Sequence, residues 1–435
     1  MTKICRPILE YREIIKATGI TIDEYAPPQQ TMKRFIRLFR QIDDVRVEAM
    51  TDYPLEEILV IAFLAVLGNA SGWNEIERFG NAKHKWLKKF LKLQNGIPSH
   101  DTFRRVFSLI DPEQLQKATV LFLLENMDAI KRSLGIKSQV RQLCIDGKEE
   151  RGTGRKKGTT EEIRNLQTLH IYDASNGICL VSHQIDSKTN EIPAAQEALQ
   201  MLQLKHAIVT FDALHTQTKT IGIIRERGGN YVGALKGNQG NLALIAEESF
   251  TQEDKARIHK AGNNYYETIE KSHSQVETRR FYMTRARLGI AQGEDWRGLR
   301  NFICYEKNMC STITGRKTIE IRYYITSLKD VELCADAIRG HWSVENQLHW
   351  HLDYTFHEDD NTTVDRQAFT NLSILNKMAL SLFKLVQPLM KKNSSIRLIR
   401  KDFSWGFEDN LAKLLNSFDE KILRNALENS GTNKK

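Results

Sequence analysis

The chain has little cysteine. Its six, Cys5, Cys144, Cys179, Cys304, Cys310 and Cys334, are scattered and form no CxxC pair. That argues against a zinc finger or a disulfide framework and suits a reducing compartment. Long apolar runs are also missing. The longest, ILVIAFLAVL from Ile58 to Leu67, is too short to span a bilayer and fits a buried helix. The N-terminus carries no signal-peptide pattern, so no membrane association and a cytoplasmic location are expected. The Gly-rich stretch ALKGNQGN lacks the GxxxxGK(S/T) spacing, which argues against an ATPase phosphate loop. His341 and His349 are eight residues apart, about 12 Å along a helix. The zinc-hydrolase helix instead spaces its two histidines by four, so one zinc ion is not within easy reach of both.

What is present is a surplus of basic residues. Across 435 residues, 63 Lys and Arg face 54 Asp and Glu, a net charge of +9. With 41% hydrophobic and 27% charged residues, this is an ordinary globular composition, long enough for two or three domains. The charge points to a polyanionic partner, nucleic acid ahead of an anionic membrane surface.

Residues 1–30 are weakly patterned and end in YAPPQQ, an arm or linker. Residues 31–135 read as a helical domain. MKRFIRLFR sets Lys33, Arg37 and Arg40 opposite Phe35, Leu38 and Phe39. PLEEILVIAFLAVLG predicts a helix that starts at Pro54 and stops near Gly68. KHKWLKKFLKL predicts a helix with Lys85, Lys88, Lys89 and Lys92 on one face and Trp86 and Phe90 on another. IPSHDTFRRVFSLI offers Ser99 or Asp101 as a cap and exposes Arg104 and Arg105. These basic faces fit a DNA-binding module, or a scaffold with solvated lysines.

From residue 136 to 390 the pattern is α/β. VRQLCID is a strand, followed by a polar loop. LQTLHIYDASNGICLVSHQI gives two strands with a turn at Asp173–Gly177. Helix EIPAAQEALQML, strand HAIVTFDA, helix TQTKTIGIIRERGG and strand YVGALKGN follow. Such an order gives a meander and then parallel strands. Residues 247–328 are strand-rich, an insertion or added sheet strands. In ELCADAIRGHWSVENQLHWHLD, helical spacing places His341, Glu345, His349 and Asp353 on one face. An apolar helix spans Arg366–Val386, and 391–435 form a C-terminal helical tail.

Three acids stand out. In CIDGKEERG, Asp146 precedes Gly147, a pair that favours a turn; the alternative is a metal ligand. Asp146 and Asp212 each read as ending a strand. If those strands are neighbours, the carboxylates meet at the sheet edge where α/β sites form. Glu345 is the third, on the helical stripe. Carboxylate oxygens suit hard divalent cations, and two such ions can clamp the attacking and leaving oxygens of a phosphodiester. Lys148, Arg151, Arg155, Lys156, Lys157 and Lys236 surround these acids as phosphate contacts. Lys236, Asn238 and Gln239 follow a strand and are placed to touch a DNA backbone or base edge. His341, Trp342 and Asn346 are placed to touch a strand end or flanking base.

IDGK, FDALHTQ, YVGALKGNQ and HWSVENQLHWHLDYTFHEDD, with SHSQVETRRFY and RYYITSL, together resemble bacterial insertion-sequence DDE transposases of the H-repeat-associated type. The resemblance runs from Phe39 to Phe383. It implies a ribonuclease H-like mixed sheet flanked by helices, with a strand-rich insertion between Asp212 and Glu345. It further implies that Asp146, Asp212 and Glu345 are catalytic and hold two Mg²⁺ or Mn²⁺ ions. Cleavage at the element ends and joining of a 3′-hydroxyl to target DNA would follow, with a homodimer pairing the two ends. A non-integrating nuclease or domesticated recombinase, and a catalytically inactive DNA-binding repressor, are the alternatives.

Overall fold

Leu143, Cys144 and Ile145 form an unbroken apolar run with no exposed member. A strand that reads this way is covered on both faces. It is the middle of β1 (Arg141–Glu150), the central strand of five. The others are β2 (Leu166–Asp173), β3 (Ile178–Ile185), β4 (Ala207–Phe211) and β5 (Asn230–Leu235). β1, β2 and β3 pair antiparallel, whereas β1, β4 and β5 pair parallel. The order 3-2-1-4-5 is a ribonuclease H-like arrangement. The computed structural model describes residues 11–18, 20, 28–47, 49, 51–136, 140–155, 163–185, 191–272, 274–288, 296–390 and 394–432. Lys156 and Lys157, and most of the N-terminal arm, lie outside them.

The strand-rich stretch adds to this sheet rather than forming a separate layer. β6 (Tyr265–Ser272), β7 (Gln275–Arg285), β8 (Asn301–Ser311) and β9 (Lys317–Thr326) form an antiparallel meander. β9 pairs antiparallel with β5 from Val232–Thr326 to Leu235–Tyr323. The result is one nine-stranded mixed sheet.

Helix Val331–His341 follows β9 and crosses the sheet. Its first turn is capped by Asp330, whose carboxylate accepts from the Leu333 N–H at 2.7 Å. It packs close because Gly340 has no side chain. A Cβ there would sit 2.1 Å from Gln142 Oε1. Gln142 in turn donates to the Ala337 carbonyl at 2.7 Å, fixing the helix to β1.

The helical region and the tail share a core with the sheet. Helix Leu55–Leu67 is capped by Pro54 and Gly68 and is buried along nearly its whole length. From Ile58 to Leu67 it is apolar all round, and such a helix must be central. Helix Arg366–Val386 packs against it and against helices His100–Phe107 and Pro112–Ser133, β3, and the tail helix Ile396–Trp405. Asn371, fully buried, donates to the Phe107 and Ile110 carbonyls. Lys83 pairs with Glu408 at 3.2 Å. The buried cluster runs continuously from Ile15 to Leu423. No helix of the described residues is long and apolar enough to cross a membrane.

Two expectations fail locally. KHKWLKKFLKL is helical only over His84–Leu87. The chain then turns, with Leu93 at φ 45°, because the buried Glu57 carboxylate captures the Lys92 and Leu93 N–H groups. Trp86 is buried against Phe90 and Phe407 rather than displayed. Within the expected arm, Tyr11–Thr18 is helical and Ile15 is fully buried.

Candidate active site

The parallel ladder between β1 and β4 ends at the pair Ile145–Phe211. The next residues are Asp146 and Asp212, so both acids emerge where β4 runs out. Asp146–Gly147 is not a turn, and Asp146 does not end its strand. β1 continues to Glu150 because β2 keeps pairing with it, Asp146 opposite His170 and Glu150 opposite Leu166. Gly147 serves a close approach instead: a Cβ there would lie 2.6 Å from Glu191 Oε1. Asp212 Oδ1 accepts from the Leu214 and His215 N–H groups at 2.9 and 3.4 Å, which folds its own loop. Thr216 Oγ1 ties that loop to β5 through the Ala234 carbonyl at 2.7 Å.

Helix Val331–His341 leads into π-helical turns at Val344–His349 and His351–Thr355. Such wide turns are rare and frequent at functional sites. The stripe of fours lies over the sheet. His341 Nδ1 is 3.0 Å from Thr210 Oγ1 on β4. His349 Nε2 is 3.0 Å from His170 Nδ1 on β2, and its Nδ1 is 3.7 Å from Asp146 Oδ2. Asp353 Oδ1 is 2.8 Å from Lys148 Nζ on β1. Glu345 sits between these contacts, with its side chain exposed.

The electrostatics brings the acids together. Burial pushes the Asp146 carboxyl up, and the charges of Glu345, Asp212 and Glu191 push it further, to about 7, against the opposing Gly147 N–H. The charged side chains that act on it most, Glu345, Asp212 and Glu191, all raise it. The charges acting on Asp146 are those of carboxylates, with the His349 Nδ1 3.7 Å away, and a hard divalent cation such as Mg²⁺ takes carboxylate oxygens. Glu191, at the start of helix Glu191–Met201, is held by the buried His215, whose Nε2 is 2.9 Å from its Oε1. The trio is not closed to ligand-shell contact. Among the described residues, the acids whose oxygens lie within 4.8 Å of one another are Glu150, Asp353 and Asp359.

Lys148 fills that second cluster. It is buried, bonded to Glu150, and 2.8 and 3.7 Å from Asp353 and Asp359. Burial works against its charge, but Glu150, Glu358 and Asp353 outweigh it and hold its pKa above the usual range. The expectation of a phosphate contact at Lys148 is therefore corrected: its ammonium is already enclosed by carboxylates. His341 also turns inward, to Thr210. Burial pushes His341 to about 4 and His349 to about 3, so both are neutral braces near pH 7. Asn238 and Gln239 point their amides at the Ala213 carbonyl, 2.8 and 2.6 Å away. They brace the Asp212 loop. Lys236, Arg151, Trp342 and Asn346 remain exposed. Arg322 lies 5.0 Å over the Trp342 ring. Trp342 and Asn346 line a cavity of about 420 Å³ beside Gln142 and Ser175.

Glu191 and His215 escaped the sequence reading. Neither has a local spacing that signals it; Glu191 meets Gly147 only because the β3–β4 crossover returns over β1.

The 3-2-1-4-5 sheet, with aspartates leaving two neighbouring strands, is a ribonuclease H-like fold. The chain belongs to the transposase DDE-domain family, which matches residues 138–382, while the DDE_Tnp_1-associated family matches residues 20–123. It is 32% identical over 360 residues to the putative transposase YncI of Escherichia coli O157:H7, covering 79% of this chain and 85% of that one. It is also 32% identical over 339 residues to the H repeat-associated putative transposase YhhI of Escherichia coli K12, covering 76% and 84%. Among solved structures, a piggyBac transposase synaptic complex with hairpin DNA aligns over 98% of this chain and 84% of that one. Its TM-score is 0.35 at 11% identity.

Proposed function

We propose that this chain cuts DNA at insertion-sequence ends and joins the freed strand to target DNA. In this reading Asp146, Asp212 and Glu345 are the catalytic acids and would hold two divalent cations, Mg²⁺ or Mn²⁺. The observation that carries it is the β1–β4 ladder, which ends at Ile145–Phe211 and brings Asp146 and Asp212 out side by side, with the Asp146 carboxyl raised to about 7 by burial and by the charges of Glu345, Asp212 and Glu191. Bound there, the ions would lower the pKa of the attacking water and offset charge on the phosphorus.

The chain's own groups set the geometry. Asp146 lies between Asp212 on one side and the Glu345 stripe on the other, and its Oδ1 already accepts from the Gly147 N–H at 3.0 Å. The neutral His349 offers one donor and one acceptor. The direction of its bond to His170 therefore decides whether Nδ1 turns a proton or a lone pair toward Asp146. Glu191, fixed by His215, adds a fourth carboxylate. Asn238 and Gln239 keep Asp212 in place, and Lys236 and Arg151 are exposed for backbone phosphates. Two chains, as a homodimer, would pair the two element ends.

The test is a plasmid carrying the element ends, incubated with Mg²⁺ or Mn²⁺ and with wild type, Asp146→Asn, Asp212→Asn or Glu345→Gln. Cleavage and strand-transfer products from wild type alone are expected. Nicking by all four proteins removes the assignment. Metal-dependent cleavage without joined products favours the non-integrating nuclease. DNA binding without cleavage by wild type favours the repressor.

A further inference from the structure

Trp350 and Tyr354 lie about one and two helical turns past Glu345, five and nine residues on. Their rings stack, with centroids 4.8 Å apart and planes 24° apart. They are nevertheless 47% and 52% exposed. Two large rings left half in water and stacked on each other are an unusual use of aromatic surface in a protein with so extensive a core. They line a cavity of about 650 Å³ with Arg151, Arg397 and Lys401, within the usual size of ligand pockets, about 300–1,000 Å³. The Arg397 guanidinium sits 5.3 Å from the Tyr354 ring centre. Among the described residues, the side chains of Arg151, Arg397 and Lys401 form no ion pair. Of the acids lining the cavity, Asp353 and Asp359 already face the Lys148 ammonium, and the exposed Asp360 lies 3.3 Å from His357 Nδ1. The free charge at the rim is thus mainly positive.

The cavity is held rigidly. The buried Arg400 beneath it donates to the Thr355 and Ala70 carbonyls and lies 4.2 Å from the Phe356 ring centre. Trp350 is linked to the acid site through the chain: it follows His349, whose Nδ1 is 3.7 Å from Asp146, while none of Asp146, Asp212 and Glu345 lines the cavity.

We propose that this cavity binds one unpaired nucleotide of single-stranded DNA, the base stacked on Trp350 and the flanking phosphates on Arg151, Arg397 and Lys401. An unpaired base is favoured over a paired one because only the former has a face free to stack. Single-strand sites combine this kind of ring platform with a basic rim. The proposal rests on the reading of the chain as a DNA-acting enzyme and adds the form of DNA it holds.

The test measures binding of two fluorescent probes in EDTA by anisotropy: an oligodeoxythymidylate of about 12 nucleotides, within the usual span of single-strand sites, and a blunt duplex. Trp350→Ala and Tyr354→Ala are expected to weaken single-strand binding about 5- to 150-fold, the range for losing one stacked base. Duplex binding should change little. Trp350→Phe should recover most of the loss. Arg397→Ala should lower the log–log salt slope on the single strand by about 0.7. Wild type separates the two readings: a Trp350 effect without metal-dependent cleavage keeps this site and removes the catalytic assignment. Unchanged single-strand binding by folded Trp350→Ala and Tyr354→Ala, or an equal loss on single strand and duplex, overturns the proposal.

Discussion

Replacing Asp146 with asparagine should stabilise the metal-free protein at neutral pH while abolishing cleavage. The Asp146 carboxyl rises from 3.8 to about 7 in the folded chain. A carboxyl with a raised folded pKa binds more protons folded than unfolded. Its contribution to stability is therefore complete below the unfolded pKa, near 4, and is lost as pH climbs through 7. Between pH 5 and pH 7 that is two units, or about 3 kcal/mol at 1.36 kcal/mol per unit. Asparagine carries no such dependence. Thermal melts of both proteins in EDTA should therefore diverge with pH. At about 2.1 cal/mol/K per residue, a cooperative unit of 435 residues shifts by about 1 °C per kcal/mol, so the gap grows by about 3 °C from pH 5 to pH 8. The comparison cancels the other titrating groups, since both chains keep them. Adding Mg²⁺ at about 100 times its Kd should return about 2.7 kcal/mol to wild type and much less to the variant. A gap that is constant across pH, or equal stabilisation of both chains by Mg²⁺, would refute the convergence of the acids on Asp146.

Lys148→Met leaves Glu150, Asp353 and Asp359 without their counter-charge, and should cost about 3–5 kcal/mol, read as a lowered melting temperature. An unchanged melt would return Lys148 to a surface role. Gly147→Ala puts a Cβ 2.6 Å from the Glu191 carboxylate; the chain should fold, by circular dichroism, but bind divalent ions more weakly in calorimetry. Lys236→Ala should lower the log–log salt slope of duplex binding by about 0.9. No change would mean that its ammonium does not meet a phosphate.

Element order was legible because periodicity is local. The apolar runs of β1 and β4, the Asp173–Gly177 turn and the helix from Pro54 to Gly68 each carry their own signal. The face shared by His341, Glu345, His349 and Asp353 was legible too, since spacing by four survives the π-helical turns. The misreadings have a common cause in tertiary contact. Asp146–Gly147 carries a turn signal, yet continued pairing with β2 keeps it extended. Lys148 reads as a cation for DNA until Asp353 and Asp359, about two hundred residues on, fold around it. The lysine-rich helix around Trp86 is cut short by one buried carboxylate, Glu57. Glu191 had no signal at all, because its partner is the missing side chain of Gly147.

The shared core has a consequence for synthesis. Helix Leu55–Leu67 emerges from the ribosome early, but its neighbours in Arg366–Val386 and Ile396–Trp405 arrive some three hundred residues later, about 15–60 s at 5–20 residues per second. Through that interval the apolar run Ile58–Leu67 has no permanent cover, so the newborn polypeptide is a natural client for chaperones. A message truncated before these helices would yield a product fit only for proteolysis.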